Sequence, residues 1–507
     1  MKNLSSNKQI KLGAIISYIA IAFNIISGLI YTPWMVSQIG RADYGLYTLV
    51  TSVISYFTLD FGFGGAISKF IAQYRAEKKE EQIGKLLGLV YKFYLAIDIF
   101  ILIALTVVFL FIENIFVSLT PLEIEKFKTI FVISGMFTLV SFPCTTFNGI
   151  MIAYEKFIQM KVCDLLSKLL IVLFMIISLL MGYGLYALVI VNTAVHLLIN
   201  IIKLSIVKKN VNQKIDFKFF DKKMLKTVTS FSIWVTVMSI AHRFLFNITP
   251  SILGITSGAI AISVFAVGST IEGYTYTFAN ALNSLFLSKV SKMVADNASK
   301  EEVTNLMIKV GRIQLIIVGA ILSIFIAMGQ EFVVLWMGEG FKDSYLVAVF
   351  VILPCIITLT LDIARTLLMV ENKVCYRAVF YVIAAAISVV VSLLLSPKLG
   401  ALGAAIGIFL ASLAGHIICM NWVYSKKLKL NMTRFYKNCH LKALPIFIVT
   451  ILLGFIIQKV FPVNSLVLFI VKAGILGIIY IAQMWLFYMN KSEKELITGT
   501  FKKILRR

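Results

Sequence analysis

Residues 12–36, LGAIISYIAIAFNIISGLIYTPWMV, contain no charged side chain. At 1.5 Å of rise per residue, a helix of this length crosses a hydrocarbon core about 30 Å thick. Lys2, Lys8 and Lys11 give the run a basic start, but no small-residue cleavage site follows it. It reads as a retained first span rather than a signal peptide. The same kind of run recurs along the chain at 44–67, 86–111, 127–152, 161–181, 185–204, 226–248, 256–287, 307–329, 344–369, 376–396, 401–424, 441–461 and 465–489. The expectation is an all-α integral membrane protein of about fourteen transmembrane helices.

Composition agrees. Of 507 residues, 60% are hydrophobic and 14% charged, with a mean hydropathy of +0.93; soluble domains carry roughly 25% charged residues. A water-soluble enzyme is therefore excluded. Cysteines 144, 163, 355, 375, 419 and 439 form no CxxC pair, and all but Cys439 lie in or at the edge of apolar runs. Histidines 196, 242, 416 and 440 have no metal-ligand spacing. Neither a zinc site nor a disulfide framework is implied, and no cofactor is expected.

The formal net charge is +24. Its placement sets the topology, since cytoplasmic loops hold the excess of Lys and Arg. Most of the 48 Lys and Arg residues fall on one side of the expected membrane, in the N-terminus and at 68–85, 153–161, 203–226, 288–312, 370–377, 425–442 and 490–507. The opposite loops hold Arg41, Lys126, Lys128, Lys342, Lys398 and Lys459. Both termini are thus expected in the cytoplasm. The same bias explains the net charge through topology and anionic lipid, without nucleic acid.

A fixed offset links the two halves of the chain. Ala153-Tyr154-Glu155-Lys156 leading to Gly184-Leu185-Tyr186-Ala187 resembles Val370-Glu371-Asn372-Lys373 leading to Gly400-Ala401-Leu402-Gly403. Glu155 to Glu371 and Gly184 to Gly400 are both 216 residues. Nearby pairs drift: Glu113 to Glu331 is 218, Pro143 to Pro354 is 211 and Asp60 to Glu272 is 212. Such an offset predicts two six-helix bundles, 1–204 and 226–424, as parallel repeats about a pseudo-two-fold axis along the membrane normal. Residues 205–225 form a basic, flexible cytoplasmic connector, and 425–507 an extra helix pair with a basic tail.

Particular residues also resemble a known family. Ile39-Gly40-Arg41-Ala42-Asp43-Tyr44-Gly45-Leu46-Tyr47, then Leu59-Asp60-Phe61-Gly62-Phe63-Gly64, looks like the N-terminal signature of the polysaccharide and oligosaccharide flippases, of O-antigen type. These belong to the multidrug/oligosaccharidyl-lipid/polysaccharide exporter superfamily. Asn148-Gly149 with Tyr154-Glu155-Lys156, Leu335-Trp336-Met337-Gly338 and Leu399-Gly400-Ala401-Leu402-Gly403-Ala404-Ala405 extend the likeness over most of the chain. It implies translocation of undecaprenyl-diphosphate-linked sugar units from the cytoplasmic to the outer leaflet of a bacterial inner membrane, for cell-surface polysaccharide biosynthesis. It also implies that the extra C-terminal pair lines a lipid-tail groove, as in related peptidoglycan-precursor flippases. A multidrug and toxin extrusion antiporter, usually of twelve helices, is the second transporter reading. A membrane enzyme of polysaccharide assembly is a third, but the longest outer loops, 112–126 and 330–343, hold no acid–base or nucleophile constellation.

Flipping makes no covalent bond; it needs a polar route for an anionic diphosphate. Arg243 lies about 25 Å along its helix from Lys226, and either faces a wet cavity, pairs with Asp60 or Glu272, or snorkels outward. Asp60 and Glu272, near-equivalent positions in the two halves, are coupling or gating candidates for H+ or Na+, or structural partners. His242 either couples protons or packs. Asp362 with Arg365, and Asp164 with Lys168, have ordinary intrahelical pair spacing, with a secondary head-group role open for Arg365 and Lys168. Lys92 and Lys472 snorkel or sit beside the C-terminal pair. A monomer is expected, with membrane lipid and the lipid-linked oligosaccharide as partners.

Overall fold

The computed structural model describes residues 6–58, 63–211, 215–280, 286–495 and 498, and among them the chain is helical without strands. Eleven helices are long and apolar enough to cross a membrane, from Ile16–Ile39 to Leu466–Tyr488. They coincide with eleven of the fourteen expected spans. The other three are the more polar ones. The 44–67 span is divided into helices Arg41–Ser55 and Phe63–Ala76, and Asp60 lies outside the described residues. The 226–248 and 256–287 spans correspond to the helices Lys222–Phe246 and Gly258–Asn280. Their Ser, Thr, Tyr, His242, Arg243 and Glu272 dilute the apolar content. The protein is an all-α integral membrane protein.

Local chemistry fixes the helix ends. Thr120 with Glu123 and Ser299 with Glu302 form capping boxes that start Pro121–Ser141 and Lys300–Met337. Pro143 and Pro354 each interrupt a span, the first in a 3₁₀ turn at Phe142–Thr145 and the second just before Cys355–Thr358. Left-handed residues recur at matched offsets: Gly40 and Gly258 are 218 apart, Lys78 and Asn297 219, Glu155 and Asn372 217, Gly182 and Gly400 218. At Gly40 and Gly258, φ is 85° and 82°, values that only glycine adopts cheaply.

The chain forms two compact units. The first comprises residues 1–266 and 381–407, the second residues 267–380 and 408–507. In the first, Tyr94 and Phe142 are fully buried with ring centroids 4.9 Å apart, and Phe63 packs on Tyr94 at 5.8 Å. Gly45 rests directly against the backbone carbonyl of Ala259, and Gly149 against that of Gly64, leaving no room for a Cβ. Two glycines of the quoted sequence signatures therefore mark close helix crossings. Arg75 donates to the carbonyl of Ala153 at 2.6 Å and stacks on Tyr154 at 4.3 Å, closing the turn of Tyr154-Glu155-Lys156.

Within the connector, Asp216 and Phe219 lie against the helix Glu80–Ile115. Asp216 donates its backbone N–H to Gly84 O at 3.1 Å, its own carbonyl lies on Gly88, and Lys92 Nζ donates to Phe219 O at 3.2 Å. This settles Lys92, which reaches the connector rather than snorkelling.

In the second unit, Lys300–Met337 is the axis of the core. Met307 and Leu315 pack with Leu367, Phe435, Tyr480 and Met484. Gly319 lies under the Phe447 ring and Gly454 on Ala327, so the C-terminal helices approach the axis closely. Two buried ion pairs join them. Arg312 Nε donates to Glu493 Oε1 at 2.6 Å, and Lys472 Nζ to Glu331 Oε2 at 2.8 Å. One expectation is corrected here and, of the two alternatives for Lys472, snorkelling is removed. Arg312 is not in a loop but inside the core, and Lys472 does not snorkel: at 5% exposure it is neutralised by Glu331.

Candidate functional site

Within the first unit, the helix Lys222–Phe246 ends at a sequence break, Asn247-Ile248-Thr249-Pro250. Pro250 has no N–H to continue the helix but fits the first turn of the next, Thr249–Thr256. Arg243 stands in the last turn before this break, half-buried. Its Nη2 donates to the carbonyl of Thr58 at 3.3 Å, and among the described residues it has no salt bridge.

Neutral polar groups surround the break. Asn247 Nδ2 donates to Ser55 Oγ at 3.2 Å; Tyr56 donates to Asn247 O at 2.9 Å and contacts Ser251 Oγ at 3.0 Å; Ser52 Oγ also donates to Asn247 O. The Tyr56 ring stacks on Phe244 with centroids 6.1 Å apart. These bonds satisfy the broken helix end with side chains of Arg41–Ser55 and its C-terminal residue, as a low-dielectric setting requires. Sequence reasoning missed Ser52, Ser55, Tyr56, Asn247 and Ser251. The available signal was the i, i+3, i+4 spacing of Ser52, Ser55 and Tyr56 on one helix face, together with a proline break inside a span.

A guanidinium has five N–H donors in a planar fork. In Arg243 one of them engages Thr58 O, and among the described residues no other partner is seen; a guanidinium fork is suited to a phosphate oxygen pair. His242 is exposed and lies 4.8 Å from the ring of Phe246. Asp60 lies outside the described residues.

The expected Asp164–Lys168 pair is replaced by another. Asp164 is engaged by Lys203 at 3.1 Å and by Lys161 at 3.8 Å. Lys203, assigned to a loop edge from sequence, enters from the neighbouring helix Leu185–Asn210. It is 8% exposed and also donates to Asn148 Oδ1 at 3.0 Å. Lys168 stays half-buried on Phe157–Leu180.

The remaining candidates belong to the second unit. Arg365 is ion-paired with Asp362 and donates to Tyr276 OH at 3.3 Å, while Gln314 Nε2 donates to Asp362 Oδ2 at 3.3 Å. Glu272 accepts the Cys355 thiol at 3.9 Å. Tyr276, one helical turn after Glu272, packs against Cys355 and Leu359. Among the described residues no group of three or more His, Cys, Asp and Glu is placed to hold a metal ion.

Residues 11–291 match the family described as polysaccharide biosynthesis protein. No curated protein matches at the level of sequence. The fold is similar to that of the lipid II flippase MurJ in an inward closed conformation, at 14% identity and a TM-score of 0.73, covering 94% of this chain and 98% of that one. It is also similar to an inward-facing multidrug resistance MATE family transporter of the MOP superfamily, at 13% identity and a TM-score of 0.66, covering 82% and 99%. A MOP superfamily transporter from Pyrococcus furiosus matches at 14% identity and a TM-score of 0.58, covering 82% and 95%.

Proposed function

The chain belongs to the polysaccharide biosynthesis protein family, and from that premise we propose that it flips undecaprenyl-diphosphate-linked oligosaccharides from the cytoplasmic to the outer leaflet of a bacterial inner membrane by alternating access. The product serves assembly of a cell-surface polysaccharide. The observation that carries this reading is Arg243, a cation inside a span with a single carbonyl contact among the described residues, beside a cluster of neutral polar groups. An unpaired Arg near a membrane centre costs roughly 2.5–3.5 kcal/mol. A diphosphate offers that charge both counter-charge and paired oxygen acceptors. The lysine and arginine distribution supports cytoplasmic termini.

In this reading the two six-helix bundles, 1–204 and 226–424, are parallel repeats, supported by the matched offsets of their left-handed turns. Arg365 and Lys168 make secondary contacts with the head group. Asp60, Glu272 and His242 bind or gate a coupling H+ or Na+, and the unit is a monomer. A drug/cation antiporter is the weaker alternative, since an organic cation has nothing to gain from Arg243 and the flippase fold covers more of this chain.

Translocation in proteoliposomes tests the proposal. Wild-type protein is expected to bring an undecaprenyl-diphosphate-linked oligosaccharide to the opposite leaflet. Arg243→Ala should slow this by roughly 10- to 100-fold, the worth of a charge-assisted hydrogen bond of about 1.5–3 kcal/mol. A folded Arg243→Ala variant that flips at the wild-type rate overturns the assignment.

A further inference from the structure

Beside the polar break, the first unit has a lateral cavity of about 470 Å³ lined only by apolar side chains. One wall is formed by Val237, Ala241 and Phe244 of Lys222–Phe246, the other by Val382, Ala385 and Val389 of Val374–Leu399. Both walls are stripes at i, i+3 or i+4, and i+7 spacing, so each is one face of its helix. Ala241 and Ala385 are buried at the floor, at 3% and 6% exposure. Their small side chains create the space. Phe244 and Val382 stand exposed at the rim, so the cavity opens sideways.

The second wall is held from behind. Gly403 and Gly407 of the following helix, Ala401–Ala411, lie on Leu395 and Ser392, and Ser257 Oγ donates to Ser396 O at 2.9 Å. The groove is therefore framed by packed backbone rather than by mobile side chains.

Arg243 is not among the lining residues, but it immediately precedes the rim residue Phe244, about 100° around the helix from it, and donates to Thr58 O. A cation at the edge of an apolar channel is complementary to an amphiphile with an anionic head. We propose that the groove holds the polyprenyl chain of the diphosphate carrier lipid, next to the head group on Arg243. A diphosphate presents two negative charges and two pairs of non-bridging oxygens to the guanidinium fork, whereas the phosphodiester of an ordinary phospholipid presents one charge and one pair. The inference rests on the flippase reading and adds where the chain lies: in the groove of the first unit.

The test uses full-length protein in proteoliposomes and an undecaprenyl diphosphate carrying a diazirine on an isoprene unit near the head. After illumination, cross-linked peptides are mapped by mass spectrometry. The expected result is labelling within residues 237–244 and 382–390, suppressed at least tenfold by unlabelled undecaprenyl diphosphate but not by an equal excess of phosphatidylglycerol. Ala385→Trp, which fills the floor, should reduce that labelling at least tenfold. Should the variant not fold, the wild-type labelling map alone decides. Labelling confined to other helices, or equal competition by phosphatidylglycerol, overturns the proposal. Translocation by the same vesicles separates the two readings: flipping without groove labelling defeats the groove alone, and groove labelling without flipping defeats the flippase assignment alone.

Discussion

Removing Glu493 should detach the C-terminal helices from the core of the second unit. Arg312 and Glu493 are 6% and 4% exposed. The guanidinium grips both carboxylate oxygens, through Nε at 2.6 Å and Nη2 at 2.9 Å, donates to the carbonyls of Asn438 and Tyr488, and lies 4.0 Å from the Tyr488 ring. Glu493→Ala leaves that cation buried with carbonyl partners and the Tyr488 ring but no counter-charge among the described residues. The cost of breaking a buried pair from one side is about 3–5 kcal/mol, a large share of the 5–15 kcal/mol typical of a folded domain. The double variant Arg312→Met with Glu493→Leu removes both charges and keeps the volume, and should recover most of the loss. Thermal unfolding in detergent, followed by size-exclusion fluorescence, reads the series. A single-variant loss below about 1 kcal/mol, as for exposed pairs, or a double variant no better than the single, would refute the reasoning.

Two further outcomes follow from local geometry. Gly45→Ala places a methyl on the carbonyl of Ala259, so the crossing must widen; a loss of about 1–3 kcal/mol is expected in the same assay, and unchanged stability would mean the helices can separate freely. Glu371, between spans, is partly buried, which by itself raises its pKa, but hydrogen bonds and charge from Lys300 and Lys373 outweigh this and hold it below the ordinary 4.5. A lowered carboxylate pKa contributes stability that is complete above 4.5 and lost as pH falls through the lower folded value. Acid titration of unfolding should therefore show a steeper decline for wild type than for Glu371→Gln below pH 4.5; parallel curves would exclude the contribution.

The apolar runs were legible because a membrane span is set by local composition, and eleven of them survive with ends shifted by up to nine residues. Charges near helix ends were the weak point. Lys203 and Arg312 read as loop cations, since nothing local distinguishes a lysine at a membrane edge from one turned inward. Their partners come from other helices: Asp164 is 39 residues from Lys203, and Glu493 is 181 residues from Arg312. The i, i+4 rule favoured Lys168 for Asp164, but a buried lysine on the adjacent helix makes the contact because its own burial requires a counter-charge. Tyr56 and Asn247, 191 residues apart, were invisible for the same reason. Arg243 stood out because an arginine so deep in an apolar run is costly wherever it points.

The buried charges thus divide into two kinds, and the division bears on mechanism. Arg312, Lys472 and Lys203 are each neutralised by a carboxylate and hydrogen-bonded to further groups. Such pairs fix helices in place, and an anionic substrate would have to compete with a partner already in contact. Arg243 has a single carbonyl contact among the described residues and sits where the helix ends and the backbone is held by Ser, Tyr and Asn. Neutral hydrogen bonds can be exchanged for substrate oxygens at small net cost, whereas a salt bridge at that position would have to be broken first. The three least apolar spans are the ones that hold Asp60, Arg243 and Glu272. Under the proposed function, helices that carry a polar head group through hydrocarbon give up some of their own affinity for lipid, and the low apolarity of those segments is what that proposal expects.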